Sequence, residues 1–149
     1  MRVKITITNL QNKIRISQRL ISSSAKIILS AENCPQKRLS LTISTDKKIR
    51  ELNRRFLGKD CATDVLAFSF VEGKLSKINP YSLLGDVIVS ADTAFSNAEI
   101  YKTSPREELI LYIIHGILHL LGYDDITPAK RRLMRKKERY YLRKLKIEN

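Results

Sequence analysis

The sequence predicts an α+β fold, with a small mixed sheet of four strands packed against about five helices. Three observations predict it. Segments with period-2 and period-3.6 hydrophobicity follow one another in the order βαβαββααα. The 149 residues suit one domain of ordinary size, so residues 1–149 are expected to share one core. Hydrophobic residues make up 43% and charged residues 29%, a globular composition that leaves little room for disorder. Five Gly, four Pro and two Cys exclude collagen-like and disulfide-scaffold classes.

The elements follow in order. Residues 2–8 (RVKITIT) alternate polar and apolar and read as a strand. Residues 14–31 carry Ile16, Leu20, Ile21, Ile27 and Ile28 at helical spacing. Residues 39–44 are a second strand. Thr45 or Asp46 caps a helix to about Phe56, which Gly58 stops. Residues 64–71 are a third strand, followed by a loop with Gly73 and Pro80. Residues 84–89 are a fourth strand, and a helix begins after Ser90. Ser104, Pro105 and Glu107 start the clearest helix, which ends at Gly122. Thr127 and Pro128 start a last helix through about Leu145, with Leu133, Met134, Tyr140, Tyr141 and Leu145 as its apolar stripe.

The net charge is +13, which makes a polyanion the first candidate partner, with nucleic acid ahead of an anionic membrane. The charge is unevenly placed: residues 1–59 carry +11, residues 60–129 carry −6 and residues 130–146 carry +9. An acidic middle between basic flanks is a good place for a cation. Cys34 and Cys61 lack CxxC spacing and read as a free, reduced pair. No signal peptide or membrane-spanning stretch is visible, so the expected location is cytoplasmic.

Both histidines fall in one window, His115-Gly116-Ile117-Leu118-His119. Residues at i and i+4 share a helix face, so two imidazoles so placed can bind one metal ion. Such pairs also occur as ordinary half-buried residues. Gly122 then lets the chain turn back, and Asp124 and Asp125 arrive where a third ligand can reach the ion. The same acids would also suit the N-terminus of the following helix. In the familiar zinc-protease motif a Glu follows the first His as general base, whereas here that position is Gly116, which counts against a peptidase.

The run HGILHLLGYDD closely resembles the HGxLHLxGYDH signature of the YbeY family of bacterial endoribonucleases and ribosomal-RNA maturation factors. Leu52-Asn53 through Asp60, and then Thr63 through Phe68, resemble its LNxxYRGKDxPTDVLSF stretch. Residues 84–90 resemble its LGDIxIS strand, and Met134 with Glu138 its M-x-x-x-E pattern. The resemblance implies a zincin-like α+β domain. It also implies one divalent metal ion, zinc first, held by three histidines. Carried over by position, the ligands are His115, His119 and Asp125, the last a departure that puts metal preference in question. Asp124 matches the family's Asp beside the third ligand and, with Asn53, is a candidate support of the ligands. The family's Arg before Gly-Lys-Asp is Leu57 here, which leaves Arg54, Arg55 and Lys59 as candidates for phosphate contact.

The implied activity is metal-dependent, single-strand-specific endoribonuclease cleavage. Its implied place is small-subunit ribosomal RNA 3′-end maturation and ribosome quality control. The expected partners are ribosomal RNA and the small ribosomal subunit, with no DNA and no membrane. Arg131, Arg132, Arg135 and Lys136 are the candidate RNA contacts on the last helix. Glu138, the lone acid there, either supports the metal-site loop or pairs with a base. The competing reading is a non-catalytic RNA- or ribosome-binding assembly factor with a degenerate metal site.

Overall fold

A computed structural model describes residues 5–34, 37–70 and 83–145. The elements are β1 (Ile5–Asn9), α1 (Gln18–Ala31), β2 (Arg38–Ser44), α2 (Asp46–Leu57), β3 (Val65–Ser69), β4 (Leu83–Ser90), α3 (Ala91–Tyr101), α4 (Pro105–Leu120) and α5 (Pro128–Leu145). Their order is the βαβαββααα read from the sequence. The expected start of the first strand and the loop with Gly73 and Pro80 lie outside the described residues.

The four strands form one mixed sheet in the order β1-β2-β4-β3. β1, β2 and β4 run parallel, and β3 returns antiparallel along β4 as an edge strand. One face, with Leu39, Leu41, Ile43, Val87 and Val89, packs under α1, α4 and α5 in the main core. The other carries Leu66 and Ile88 against Ile49 of α2. Burial on both faces accounts for the continuous Val87-Ile88-Val89 run in β4, whereas β2 alternates.

Side-chain caps set the helix starts. Ser17, Thr45, Ser90 and Ser104 accept hydrogen bonds from the backbone N–H three residues on, and Thr127 does the same for Lys130. Two boundaries differ from the sequence reading. The first helix begins at Gln18 rather than 14, because the Gln11 side chain brackets Ile14, accepting from its N–H at 2.8 Å and donating to its carbonyl at 2.9 Å. Ile14 is therefore buried from a turn. On α5 the apolar stripe is narrower than expected: Met134 and Tyr141 are buried, while Leu133 and Tyr140 are exposed. The helix lies on the core along one line of residues only.

Two glycines set how closely α4 approaches the sheet. A Cβ at Gly116 would lie 2.5 Å from a Val87 methyl carbon and 3.2 Å from one of Val65. A Cβ at Gly85 would lie 2.3 Å from the Phe68 carbonyl oxygen and 2.7 Å from a Leu120 methyl carbon. Helix and strands thus meet with a glycine on one side and a side chain on the other, Gly116 under Val87 and Gly85 under Leu120. Overpacking costs about 1–3 kcal/mol, and alanine recovers up to about 1 kcal/mol of helix propensity at position 116. Gly116→Ala should therefore destabilise the chelated protein by about 1–2 kcal/mol in urea. Gly85→Ala should cost more, because the atom it meets is backbone. An unshifted urea midpoint for both variants would show that the close approach is not required.

Candidate metal centre

α4 and the turn after it bring the titratable groups together. Glu108, Tyr112, His115 and His119 follow one another at helical spacings of four, three and four, so they share one flank of α4. The two imidazole Nε2 atoms are 3.0 Å apart. Gly122, at φ +103°, reverses the chain, and Asp125 Oδ2 comes within 4.0 Å of His115 Nε2. One ligand atom each from His115, His119 and Asp125 fall within 4.8 Å of one another.

The opposite nitrogen of His115 has its own partner. Its Nδ1 lies 3.2 Å from Glu138 Oε2 on α5, and the Glu138 side chain is only 14% exposed. Glu138 thus supports the metal-site histidine, one of the two roles left open by the sequence. A carboxylate here accepts the Nδ1 proton and leaves Nε2 bare, facing His119. Burial alone would depress the His115 pKa, but the hydrogen bond and charge of Glu138, with Asp64 and Asp125 behind them, raise it above the ordinary value. His119 goes the other way, lowered by burial and then by the charge on His115. The pair accepts one proton far more readily than two.

These donors fit a divalent ion. Two ligands 2.0–2.1 Å from a tetrahedral zinc are about 3.3 Å apart, close to the imidazole separation found here. The carboxylate behind one imidazole is the usual support of a ligating histidine. The set is N₂O, and the exposed side of Asp125 leaves room for a fourth position.

The turn carrying Asp125 is held from α5. Arg131 Nη1 donates to the carbonyls of Asp125 and Ile126 at 3.1 and 3.3 Å. Asp124 accepts from the Ile126 N–H at 3.1 Å and pairs with Lys130 Nζ at 3.3 Å, which keeps its carboxyl below the usual range. A deeper tie was not visible in the sequence. Glu32, just after α1, accepts from Tyr123 Oη at 2.6 Å, from Lys137 Nζ at 2.9 Å and from the Tyr141 hydroxyl. Burial would raise the Glu32 pKa, and these three donors lower it. Its partners lie more than 90 residues away, so no local pattern announces it.

The triad opens on a groove of about 850 Å³ along β3, lined by Leu57, Lys59, residues 63–70, His115, His119, Leu120 and Asp125. Of the three candidate phosphate contacts, Lys59 lines this groove, while Arg54 and Arg55 are exposed on α2 outside its lining. Asn53 is buried and its Nδ2 donates to the Cys61 carbonyl at 3.0 Å, pinning the loop after α2, while its Oδ1 has no partner among the described residues. Asp64 is the second carboxylate of the lining beside Asp125. Arg132, Arg135 and Lys136 are exposed on α5, and Lys136 borders a separate hollow with Glu32 and Tyr140.

Comparison with known proteins gives concordant matches. The profile of the family described as Endoribonuclease YbeY matches residues 6–146. A protein of that name from Syntrophus aciditrophicus is 39% identical over 140 residues, covering 93% of this chain and 87% of its own. One from Geobacter sulfurreducens is 41% identical over 139 residues, covering 92% of each. The solution structure of TM1509 from Thermotoga maritima superposes with a TM-score of 0.66 at 27% identity, covering 95% of this chain and 88% of that one.

Loss of a carboxylate behind a ligating histidine costs about 10- to 100-fold in metal affinity. Glu138→Gln should therefore weaken zinc binding by about that factor in competition with a chelating dye. Because a raised His115 pKa lets protons compete with the metal, wild-type affinity should fall as pH falls through that pKa, and Glu138→Gln should move the fall to lower pH. Equal affinities at every pH would remove Glu138 from the site.

Proposed function

The chain belongs to the YbeY endoribonuclease family, and from that premise we propose that it cuts single-stranded RNA at the groove beside β3, using a divalent ion held by His115, His119 and Asp125. The family relation makes it an endoribonuclease. The observation that carries the proposal is the convergence of three ligand atoms within 4.8 Å of one another on a groove of about 850 Å³.

When bound, a divalent cation supplies Lewis acidity toward a phosphoryl oxygen and acidifies water. The chain's own residues do the rest. His115 and His119 present Nε2 lone pairs, the first fixed in its tautomer by Glu138. Lys59, on the facing wall, meets a phosphate and offsets the charge that develops on it. Asp64 supplies a carboxylate on the same wall for a proton released in the cleavage. Position 116 faces the strands with no space for a Cβ. A peptidase's glutamate therefore has no place there.

Among the described residues no helix is long and apolar enough to cross a membrane. We place the protein in the cytoplasm, on ribosomal RNA and the small ribosomal subunit. The exposed bases Arg132, Arg135 and Lys136 on α5 support that reading by offering a salt-sensitive, sequence-independent attraction for a polyanion.

The deciding experiment measures bound metal and cleavage of a labelled single strand for wild type, His119→Ala, Asp125→Ala and Asp125→His. His119→Ala should lose the metal and cut roughly 100-fold or more slowly. Asp125→His should bind zinc more tightly, since imidazole suits zinc well. Undiminished cleavage by His119→Ala in chelator would sink the metal-nuclease reading. A metal-loaded wild type that binds the strand without cutting it would favour an assembly factor.

A further inference from the structure

The groove wall changes character along β3. Beside the triad it is polar, and toward the C-terminus of α2 it is apolar and aromatic. Phe56 is 59% and Leu57 52% exposed, at the end of an otherwise strongly polar helix. Leu57 lines the groove with Lys59 and Phe68. The Phe56 ring is held in place. It meets the Phe68 ring edge-on, with centroids 5.8 Å apart and planes at 65°. The Arg55 guanidinium stands 5.5 Å from its centroid.

We propose that Phe56, just outside the groove and next to Leu57 of its lining, is a stacking platform for an unpaired base of a strand that leaves the groove past this corner, and that the corner sets a preference for single strands. Exposed aromatic rings among cations bind unpaired bases by their faces, whatever the base identity. A duplex keeps those faces stacked inside itself. Arg55 and Lys59 lie on either side of the platform in sequence, where phosphates flanking the stacked base would meet them. Charge selects RNA over a second copy of this chain, because pairing two such corners would bring Arg54, Arg55 and Lys59 against their own kind. The proposal rests on the RNA reading above and adds a specificity-determining residue to it.

The chain has no Trp, so Phe56→Trp installs a single indole reporter. The metal-loaded Phe56→Trp protein is mixed rapidly with a short oligoribonucleotide, its abasic counterpart of equal charge, or a duplex, and emission is read before cleavage. The base-bearing single strand should quench the indole, and the other two should not. Phe56→Leu keeps the apolar bulk and removes the ring face. It should weaken binding of the base-bearing strand about tenfold, leave the abasic strand bound as by wild type, and place the loss mainly on KM. Equal affinity of wild type and Phe56→Leu for the base-bearing strand, or equal quenching by the abasic strand, would overturn the platform. Emission that changes with protein concentration in the absence of RNA would assign the corner to self-association and overturn it too. If Phe56→Leu behaves as wild type while His119→Ala is inactive, the nuclease reading stands without the platform. If the wild type binds no strand, both fall.

Discussion

The close approach of α4 to β3 and β4 is the constraint on which the site depends. Gly116 faces the strands with no space for a Cβ, and that fixes the rotation of the helix about its axis. Each residue turns the helix by about 100°, so His115 and His119 both emerge on one side of the direction in which Gly116 points, at roughly a quarter turn from it. They can be buried neither under the sheet nor out in solvent. They lie along its edge, where β3 borders the groove. Glu108 and Tyr112 fall on the same flank, which makes it a polar line on a helix that is apolar elsewhere. The glycine after the first histidine is thus more than a missing general base. It is the residue that allows this helix to sit where its imidazoles meet the groove.

A second layer of carboxylates then holds what α4 presents. Glu138 reaches back from α5 to His115, and Glu32 ties the end of α1 to Tyr123, Lys137 and Tyr141. Tyr123 stands two residues before Asp125, so the turn bearing Asp125 is fixed from α1 as well as by Arg131 from α5. Two helices far apart in sequence therefore position one exposed aspartate. A half-buried carboxylate with three donors is costly to leave half-satisfied, which makes the network a specific joint rather than a general adhesive.

The parts legible in the sequence are those governed by short-range physics. Helix starts at Thr45, Ser104 and Thr127 follow from side-chain caps that reach only three residues. The histidine pair follows from helix periodicity, and the same periodicity puts Glu138 in line with Met134 and Tyr141. What the sequence obscured has long-range or competing causes. The apolar phase of Ile14 and Ile16 continued the α1 pattern, but the Gln11 side chain holds that segment in a turn. Glu32 meets partners that no local window contains. Arg54 and Arg55 look equivalent to Lys59 on charge alone, and only the path of α2 into its loop turns Lys59 to the groove. The bond from Asn53 to the Cys61 carbonyl likewise depends on the path of the loop after α2, which no local pattern shows.

The uneven charge takes on a spatial meaning in α5. This helix carries nine of the chain's bases and one acid, yet the acid is the residue turned inward. Its line of contact with the core runs through Met134, Glu138 and Tyr141, so the bases Arg132, Arg135 and Lys136 are left in solvent. Salt screens exposed charges beyond about 8 Å at physiological ionic strength and buried pairs far less. The pull of the exposed α5 bases on any polyanion is therefore salt-sensitive, while the largely covered Glu138–His115 contact is much less so. One helix thus holds His115 from its inward line and leaves its bases in solvent, and burial is what separates the two electrostatic environments.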